Sequence, residues 1–256
     1  MITIKSEKEI EFLREGGKRL AEILHLLKSK AVAGISTREL DEIAFNLVKE
    51  KGDTPAFLNY KPKGVKRPYP ATLCVSVNDV IVHGIPNEPE LILKEGDIVT
   101  LDMGIIHENL ITDSAVTVGI GNIDEKGKKL ISATEESMYK GIAMARGGNH
   151  VGDIGFAIYS FVKPLGFSLA DNLSGHGVGY KVHEDPFVPN IGRRGEGPIL
   201  KPGMVLAIEP MLLEGISRVS FDKDEYTVRT KDGKRAAHFE HSIVITEGEP
   251  EILTQM

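Results

Sequence analysis

The N-terminal part of the chain alternates hydrophobic and polar residues with the period of an α-helix. Ser6 followed by Glu9 has the form of a capping box and predicts a helix start. Gly16 and Gly17 are expected to weaken the middle of this helix. Its apolar residues recur at Ile10, Leu13, Leu20, Ile23, Leu24 and Leu27. A second helix is predicted over 34–51, capped by Ser36 or Thr37, with Leu40, Ile43, Ala44, Leu47 and Val48 facing inward.

Beyond residue 70 the pattern changes to the two-residue period of β-strands. Residues 55–70 are rich in Pro, Gly and Lys and are expected to form a loop. The predicted strands are 73–77, 80–82, and a hairpin of 97–106 with 110–120 that turns near 107–109. Helices are predicted at 126–146 and 151–162, and short strands and turns follow Gly166. Antiparallel strands mixed with helices predict an α+β fold.

Two segments of the chain resemble each other weakly. Residues 93–103 and 200–210 both place Leu-Lys-x-Gly before an apolar strand. In each copy a carboxylate stands six residues after the glycine, Asp102 in the first and Glu209 in the second. A helical segment precedes each copy. The repeat predicts two halves that each donate carboxylates to a shared cleft.

The halves cover residues of about 1–120 and 121–256. Because a chain of 256 residues can bury one sizeable core, we expect a single catalytic domain over 1–256. The two halves would then be pseudo-symmetric, with an antiparallel sheet flanked by helices.

Composition places the chain among ordinary globular proteins, with 41% hydrophobic and 27% charged residues. The formal net charge of -6 argues against a specific nucleic-acid partner, and the basic run 61–67 is interpreted as a solvated loop. Cys74 is the one cysteine, so no internal disulfide can form, which suits the cytoplasm. No leader peptide and no membrane-spanning run is predicted, so no membrane partner is expected.

Asp102 and Asp113 are the first candidates for chemistry. In the predicted hairpin they lie on neighbouring antiparallel strands, and no Lys or Arg stands close to them in the sequence. A single buried Asp is more often a turn or capping residue. Two of them on paired strands, with nothing to neutralise them, favour a bound metal ion.

The second half of the chain supplies three more candidate ligands. His176 lies in Ser-Gly-His-Gly-Val-Gly, where the glycines let a ligand approach closely. Glu209 and Glu240 lie in apolar strands, where burial raises the pKa of a carboxylate unless a cation keeps it ionised. The predicted metal ligands are therefore Asp102, Asp113, His176, Glu209 and Glu240.

This ligand set also indicates the kind of metal. Carboxylates with an imidazole and no thiolate favour Mn²⁺, Fe²⁺, Co²⁺ or Zn²⁺ over copper or an iron–sulfur cluster. Five such side chains can hold two divalent metal ions if one or two carboxylates bridge them. Hydrolytic two-metal sites are built in this way, and the chain is therefore predicted to be a metallohydrolase.

Two further histidines are less specific. His83 ends a predicted strand at a turn, and His183 lies seven residues after His176. Zinc-protease helices place two histidines four residues apart, so this spacing is of another kind. Each is explained equally well as an ordinary hydrogen-bonded loop histidine, and His83 alternatively as a proton donor at the rim of a cleft.

In their order along the chain, these motifs resemble the methionine aminopeptidases, which have the pita-bread fold. The resemblance covers nearly the whole chain and is strongest to the short, bacterial first type. It rests on five motifs, namely 76–86 around His83, 96–102 followed by Asp113, 174–186, 201–210 and 240–246. One motif alone is moderate support, and all five in this order are a specific signature.

The resemblance implies a role for each metal ligand. Asp102 would chelate one ion, Asp113 and Glu240 would bridge both ions, and His176 and Glu209 would hold the second. The implied activity is removal of the N-terminal methionine from nascent polypeptides that have a small second residue. Nascent chains are thus the implied partner, the ribosome is a candidate partner, and a monomer is expected.

The resemblance also implies catalytic and substrate-binding residues. Glu209 would act as a proton shuttle, and His83 and His183 would contact the substrate and stabilise charge on the scissile carbonyl oxygen. Val182 replaces a bulkier aromatic residue of many family members, which changes the expected size of the pocket. The pocket for the methionine side chain is expected at Tyr69, Cys74 and Tyr226, where Tyr226 replaces a tryptophan and Cys74 is equally consistent with an inert strand residue.

Two alternatives stay open. An Xaa-Pro aminopeptidase or prolidase of the same fold would share the motif at 175–184, although such enzymes usually carry an extra N-terminal domain. A non-catalytic pita-bread protein that binds a partner is the second alternative, although such proteins lose metal ligands. His83-Gly84-Ile85-Pro86 favours the methionine enzyme.

Overall fold

The computed structural model describes all residues 1–256, which form four α-helices and fifteen β-strands. The helices are α1 (Glu7–Lys30), α2 (Thr37–Glu50), α3 (Glu125–Ile142) and α4 (Val151–Val162), which continues into a short 3₁₀ turn at Lys163–Leu165. The strands are β1 (Thr54–Pro55), β2 (Cys74–Val77), β3 (Val80–Val82), β4 (Ile98–His107), β5 (Leu110–Gly119), β6 (Ser168–Leu169), β7 (Ser174–Gly177), β8 (Glu184–Pro189), β9 (Val205–Ile208), β10 (Met211–Leu213), β11 (Val219–Phe221), β12 (Val228–Thr230), β13 (Ala236–His238), β14 (Glu240–Val244) and β15 (Glu251–Ile252).

Helix α1 begins at the predicted capping box. The Ser6 hydroxyl accepts from the Glu9 backbone N–H, and the Glu9 carboxylate accepts from the Ser6 N–H, so two end groups without helical partners are satisfied. Helix α1 runs unbroken through Gly16 and Gly17, and the weakening expected from these glycines stays a prediction. A Cβ atom at Gly17 would stand 2.3 Å from the Leu253 carbonyl oxygen, so the glycine allows the C-terminal segment to approach.

Helices α2 and α3 follow the predicted pattern with shifted ends, and α4 has the predicted ends. Ser36, and not Thr37, caps α2, since its side chain accepts from the Glu39 N–H. Helix α3 ends at Ile142, four residues before the predicted end at Arg146. Asp124 caps its start by accepting from the Gly127 N–H. No helix is both long and apolar enough to cross a bilayer.

A nine-stranded antiparallel sheet runs through both halves of the chain. Its path is β1-β4-β5-β14-β9-β7-β8, with β2 paired to β4 and β15 paired to β14. The predicted hairpin is the pair β4–β5, which turns at Glu108 and Asn109, both with positive φ. Two three-stranded sheets, β13-β10-β6 and β11-β12-β3, add to it.

Two hydrophobic clusters lie between the helices and the strands. The first contains Leu20 and Leu27 of α1 with Leu101 and Met103 of β4, and the second contains Ile154 and Ile158 of α4 with Leu206 and Ile208 of β9. Helix α1 packs on β4 and β5, and α4 packs on β8. Strands β5, β14, β9 and β7, which lie in the middle of the sheet between these regions, carry or adjoin most of the candidate ligands.

Candidate metal centre

The β4–β5 hairpin brings Asp102 and Asp113 together. In the pairing register Asp102 is opposite Ala115, and Asp113, two residues from Ala115, is opposite Gly104. Because side chains alternate along a strand, both carboxylates project from the same face of the sheet. The predicted hairpin thus places the two side chains as neighbours.

Strands β14, β9 and β7 add the remaining candidate ligands beside this pair. Glu240 begins β14 and is paired with Ala115, which is also the partner of Asp102. His176 on β7 is paired with Ala207 on β9, and Glu209 directly follows β9. His176 Nε2 lies 3.2 Å from Glu209 Oε1. Ligand atoms of Asp113, His176 and Glu240 all lie within 4.8 Å of one another, close enough to hold one metal ion.

The four carboxylates are buried without cationic partners. Their residues are between 3% and 7% exposed, and no Lys or Arg forms an ion pair with any of them. One buried oxygen of each carboxylate has no hydrogen-bond partner, at Asp102 Oδ1, Asp113 Oδ1, Glu209 Oε1 and Glu240 Oε1. Unpaired buried carboxylates are costly, and a divalent cation is the group that satisfies such oxygens. The residues present therefore fit divalent metal ions.

The electrostatics of the cleft point the same way. Burial raises the pKa of Asp113 to about 7. Burial and the charge of Asp113 raise the pKa of Asp102, Glu209 and Glu240 well above their usual values. Without a cation this cluster therefore takes up protons, and a bound cation reverses that preference.

His176 is oriented as a metal ligand. Its Nδ1 lies 2.9 Å from the Gly177 carbonyl oxygen, which can accept only if Nδ1 carries the hydrogen. Nε2 then presents its lone pair toward Glu209. Burial lowers the pKa of His176 to about 3, so the imidazole is neutral and able to bind a cation.

His83 and His183 lie at the same cleft. His83 follows β3 with a φ of 59°, and burial lowers its pKa to about 4. His183 is more exposed and lies at the mouth, with its ring centroid 4.5 Å from that of His176. The Tyr60 hydroxyl is 3.0 Å from His183 Nδ1. Both imidazoles thus face the space in front of the carboxylates.

The three predicted pocket residues line the same cavity as the ligands, together with Val182. Tyr69 and Tyr226 meet edge to face, with ring centroids 5.1 Å apart. The Tyr226 hydroxyl donates to the carbonyl oxygens of Tyr60 and Arg67. This contact fixes the 55–70 loop against the cavity wall. Burial raises the pKa of Cys74 well above its usual value, so this residue is a neutral thiol in the wall.

Sequence reasoning missed several residues of this cavity. Phe57, Tyr60 and Pro62 reach it from the 55–70 loop, whose irregular backbone has no period from which a direction can be inferred. His238 also lines it, two residues before Glu240. His238 ends β13 and Glu240 begins β14, and these strands belong to different sheets, so strand alternation could not predict that the two side chains share a cavity.

Comparison with known proteins gives the class of this protein. Residues 11–247 match metallopeptidase family M24. The chain therefore belongs to that family. Membership in a metallopeptidase family agrees with the cluster of Asp, His and Glu ligand atoms, which could hold a divalent metal ion.

Within the family, the similar proteins are methionine aminopeptidases. That of Clostridium perfringens is 48% identical over 99% of both chains, and methionine aminopeptidase 1 of Bacillus subtilis is 44% identical over 100% of both. The crystal structure of the Thermotoga maritima methionine aminopeptidase matches all of both chains at 41% identity, with a TM-score of 0.94. These similarities confirm the predicted pita-bread fold and the predicted metal-dependent aminopeptidase of the methionine type.

The alternative of an Xaa-Pro enzyme has weaker support. The prolidase of Pyrococcus horikoshii matches with a TM-score of 0.77 at 21% identity, and the match covers 99% of this chain and 63% of that one. At this identity the likeness shows the fold alone. All five predicted ligands are present and meet in one cavity, which also disfavours a non-catalytic protein.

Proposed function

We propose that this protein removes the N-terminal methionine from nascent polypeptides in the cytoplasm, as a monomer with two divalent metal ions. The observation that carries the proposal is the convergence of five ligand side chains with unpaired oxygens beside an apolar pocket. Mn²⁺, Fe²⁺, Co²⁺ and Zn²⁺ all suit this ligand set. The cysteine is buried and reduced, in keeping with the cytoplasm.

Two ions would share these ligands. Asp102 would hold one ion, Asp113 and Glu240 would serve both, and His176 with Glu209 would hold the other. Support comes from the positions of Asp113 and Glu240, because their ligand atoms lie within 4.8 Å of each other. When bound, such ions polarise a carbonyl group and lower the pKa of a water molecule.

The residues of the chain supply the remaining chemistry. Glu209 accepts a proton from the attacking water and passes it to the leaving amine, because its carboxylate lines both the metal cavity and the groove that leads from it. His83 and His183 are neutral and donate N–H bonds to the scissile carbonyl oxygen as charge develops on it. When the Tyr60 hydroxyl donates to His183 Nδ1, the hydrogen of His183 is on Nε2.

The pocket accounts for methionine at the first position. Tyr69, Cys74, Val182 and Tyr226 form walls of rings, a thiol and a branched alkyl group, which suit a polarisable thioether. A groove of about 650 Å³ leads outward from His83 and His183, wide enough for the rest of the substrate chain. A small second residue would fit beside His83 and His183, which line both the cavity and the groove.

The test compares two peptides. Metal-free enzyme is supplied with Mn²⁺, Fe²⁺ or Co²⁺, and hydrolysis of Met-Ala-Ser and Ala-Pro-Ala is followed by the release of free amino acid. We expect metal-dependent release of methionine from the first peptide and little reaction with the second. Cleavage of Ala-Pro-Ala in preference would support the Xaa-Pro enzyme, and inactivity on both with metal bound would support a binding protein. Protein treated with a chelator is the control.

A further inference from the structure

His238 is a third histidine beside the metal centre, and neither ring nitrogen has a hydrogen-bond partner. The residue is 1% exposed. Its backbone is fixed from both sides by Thr117, whose hydroxyl accepts from the His238 N–H at 3.0 Å and donates to the His238 carbonyl at 2.6 Å. The strand position of His238 is therefore fixed, and its imidazole lies in the wall of the cleft, shielded from water. An unpaired buried polar group costs stability, and its retention in a fold calls for an explanation.

The two oxygens of Glu209 face two different imidazoles. Oε1 lies 3.2 Å from His176 Nε2, on the side of the other metal ligands, whereas Oε2 lies 3.6 Å from His238 Nε2. Glu240 Oε2 is farther from His238 Nε2, at 4.0 Å. An N–H to oxygen bond spans about 2.7–3.2 Å, so a shift of a few tenths of an ångström closes the contact with Glu209.

The hydrogens available on the two side chains support donation from His238 to Glu209. A neutral imidazole carries one N–H, and an ionised carboxylate offers acceptors only. Metal ions keep Glu209 ionised, so an N–H facing Oε2 then gains an acceptor of full negative charge. His238 Nε2 lies near two carboxylate oxygens, so direct binding of a metal ion is the competing role, and the number of bound ions distinguishes the two roles.

We infer that His238 is a positioning residue that donates its Nε2–H to Glu209 Oε2 and leaves Oε1 available to the metal ion. The inference rests on the proposed function and adds a partner for Glu209. It explains why an imidazole without partners is retained in the wall, since the partner is the ionised Glu209 of the metal-loaded protein. The donated bond holds the Glu209 carboxylate in one orientation for binding metal and for moving the proton.

The test compares His238→Leu, which keeps much of the volume and removes the donor, with His238→Gln, which keeps an N–H donor. We expect His238→Leu to lower kcat about 10- to 100-fold with little change in KM, as for partners that orient metal ligands. His238→Gln should restore a large part of kcat. Unchanged kcat in His238→Leu would overturn the inference, because the ring would then only fill space.

Two measurements without turnover accompany these rates. Titration with Co²⁺ should show weaker affinity in His238→Leu but the same number of ions at saturation. The metal-free His238→Leu variant should melt at a higher temperature than the metal-free wild type, because an unpaired polar ring has been removed. Loss of one ion at saturation would make His238 a direct ligand and overturn the positioning role.

His241→Gln is the matched control. His241 is on β14, half-buried, and bonds Thr254 through Nδ1 at 2.8 Å, outside the cavity. We expect wild-type kcat and Co²⁺ affinity for this variant. If the wild type itself fails to hydrolyse methionyl peptides, the proposed function is lost, and the Co²⁺ titration and the melting temperatures still decide the role of His238. Unchanged Co²⁺ affinity in His238→Leu would then contradict it.

Discussion

Two regions of this protein bury acidic side chains, but only one of them supplies hydrogen-bond donors to the carboxylate oxygens. Around the Glu184 carboxylate, Lys5 Nζ and Thr3 Oγ1 donate to one oxygen, and the backbone N–H groups of Tyr180 and Lys181 donate to the other. In the cleft, Asp102, Asp113, Glu209 and Glu240 each keep a buried oxygen without any donor. The side chains are similarly buried, so the difference lies in their partners.

The pKa directions express this difference. Burial alone raises the pKa of Glu184, but the bonds from Lys5 and Thr3 outweigh it, and the pKa is lowered. Burial also lowers the pKa of Lys5, against the attraction of Glu184, because it removes the ammonium group from water. In the cleft nothing outweighs burial, and the pKa of Asp113 rises to about 7. A satisfied acid stabilises the fold, whereas an unsatisfied one is available for a metal ion.

The largest expected effect is the loss of turnover and bound metal when a cleft carboxylate is removed. Asp113→Ala or Glu240→Ala should abolish turnover and lower the bound metal, because a bridging carboxylate serves both ions. Metal content by elemental analysis and kcat with saturating Mn²⁺ measure this. Glu125→Ala, at an exposed helix start, is the control and should behave as wild type. Normal metal content and turnover in either cleft variant would contradict the bridging assignment.

The next effect is on the Lys5–Glu184 ion pair, whose side chains are 1% and 4% exposed. Lys5→Met should lower the free energy of unfolding by about 3–5 kcal/mol, because it leaves a buried carboxylate without its cation. Urea unfolding of the metal-free protein measures this.

Lys140→Met is the control, since Lys140 pairs with Glu136 in solvent, and it should cost less than about 1 kcal/mol. Adding Glu184→Gln to Lys5→Met should recover part of the loss. An equally small loss in Lys5→Met and Lys140→Met would remove the distinction between the two regions.

Opposite pH dependences should separate the two regions further. The raised pKa of Asp113 means that its proton binding favours the fold below about pH 4, and this contribution is lost as the pH rises through about 7. The advantage of metal-free Asp113→Asn over the wild type should therefore grow from pH 4 to pH 7, by about 1.4 kcal/mol per unit of pKa shift. Asp102, Glu209 and Glu240 add to this difference with the same sign, because removing the Asp113 charge also relieves the rise in their pKa.

Glu184→Gln should show the reverse sign. The lowered pKa of Glu184 means that its contribution is present above its unfolded pKa of about 4.5 and is lost as the pH falls through the folded value. The penalty of Glu184→Gln should thus shrink in acid and stay constant from pH 5 to pH 7. Urea midpoints across this pH range measure both differences, and parallel curves for the two variants would contradict the comparison.

The smallest expected effect is at the pocket wall. Tyr226→Phe removes one hydroxyl donor, whose oxygen lies 2.7 Å from the Arg67 carbonyl oxygen and 3.2 Å from that of Tyr60, so its single hydrogen is shared and the bond is worth about 1 kcal/mol. We expect KM for Met-Ala-Ser to rise several-fold while kcat and bound metal stay the same. Tyr159→Phe, on the surface of α4, is the control. A fall in kcat with unchanged KM would place Tyr226 in the catalytic chemistry instead.

Local patterns predicted most elements of the fold. The capping box at Ser6, the β4–β5 hairpin and α4 lie where the sequence predicts them, because caps and periodicity depend on neighbouring residues. The role of Gly17 could not be predicted in this way. It depends on Leu253, more than 200 residues away, whose backbone occupies the space that a Cβ would need.

The candidate site also contains residues that the sequence predicted and residues that only the folded structure revealed. Residue types and strand alternation were sufficient to propose Asp102 and Asp113 as neighbours, and the motif order led to His176, Glu209 and Glu240. Two features depend on the packing of distant strands and a loop and could not be predicted. They are the His238 ring without hydrogen-bond partners and the contact of the Tyr60 hydroxyl with His183. The hydrophobic periodicity within a segment does not indicate which loop packs over which strand.

By itself, the sequence determined which segments are helices and strands, and which acidic and imidazole groups are available to bind metal. The tertiary structure decided which of those groups meet, which oxygens stay without donors, and that Glu184 receives four donors while the cleft carboxylates keep unpaired oxygens. The physical reason is that caps and alternation act between residues a few positions apart. Burial and pairing of charge depend on contacts between segments far apart in the chain, such as Lys5 with Glu184 and Asp113 with Glu240.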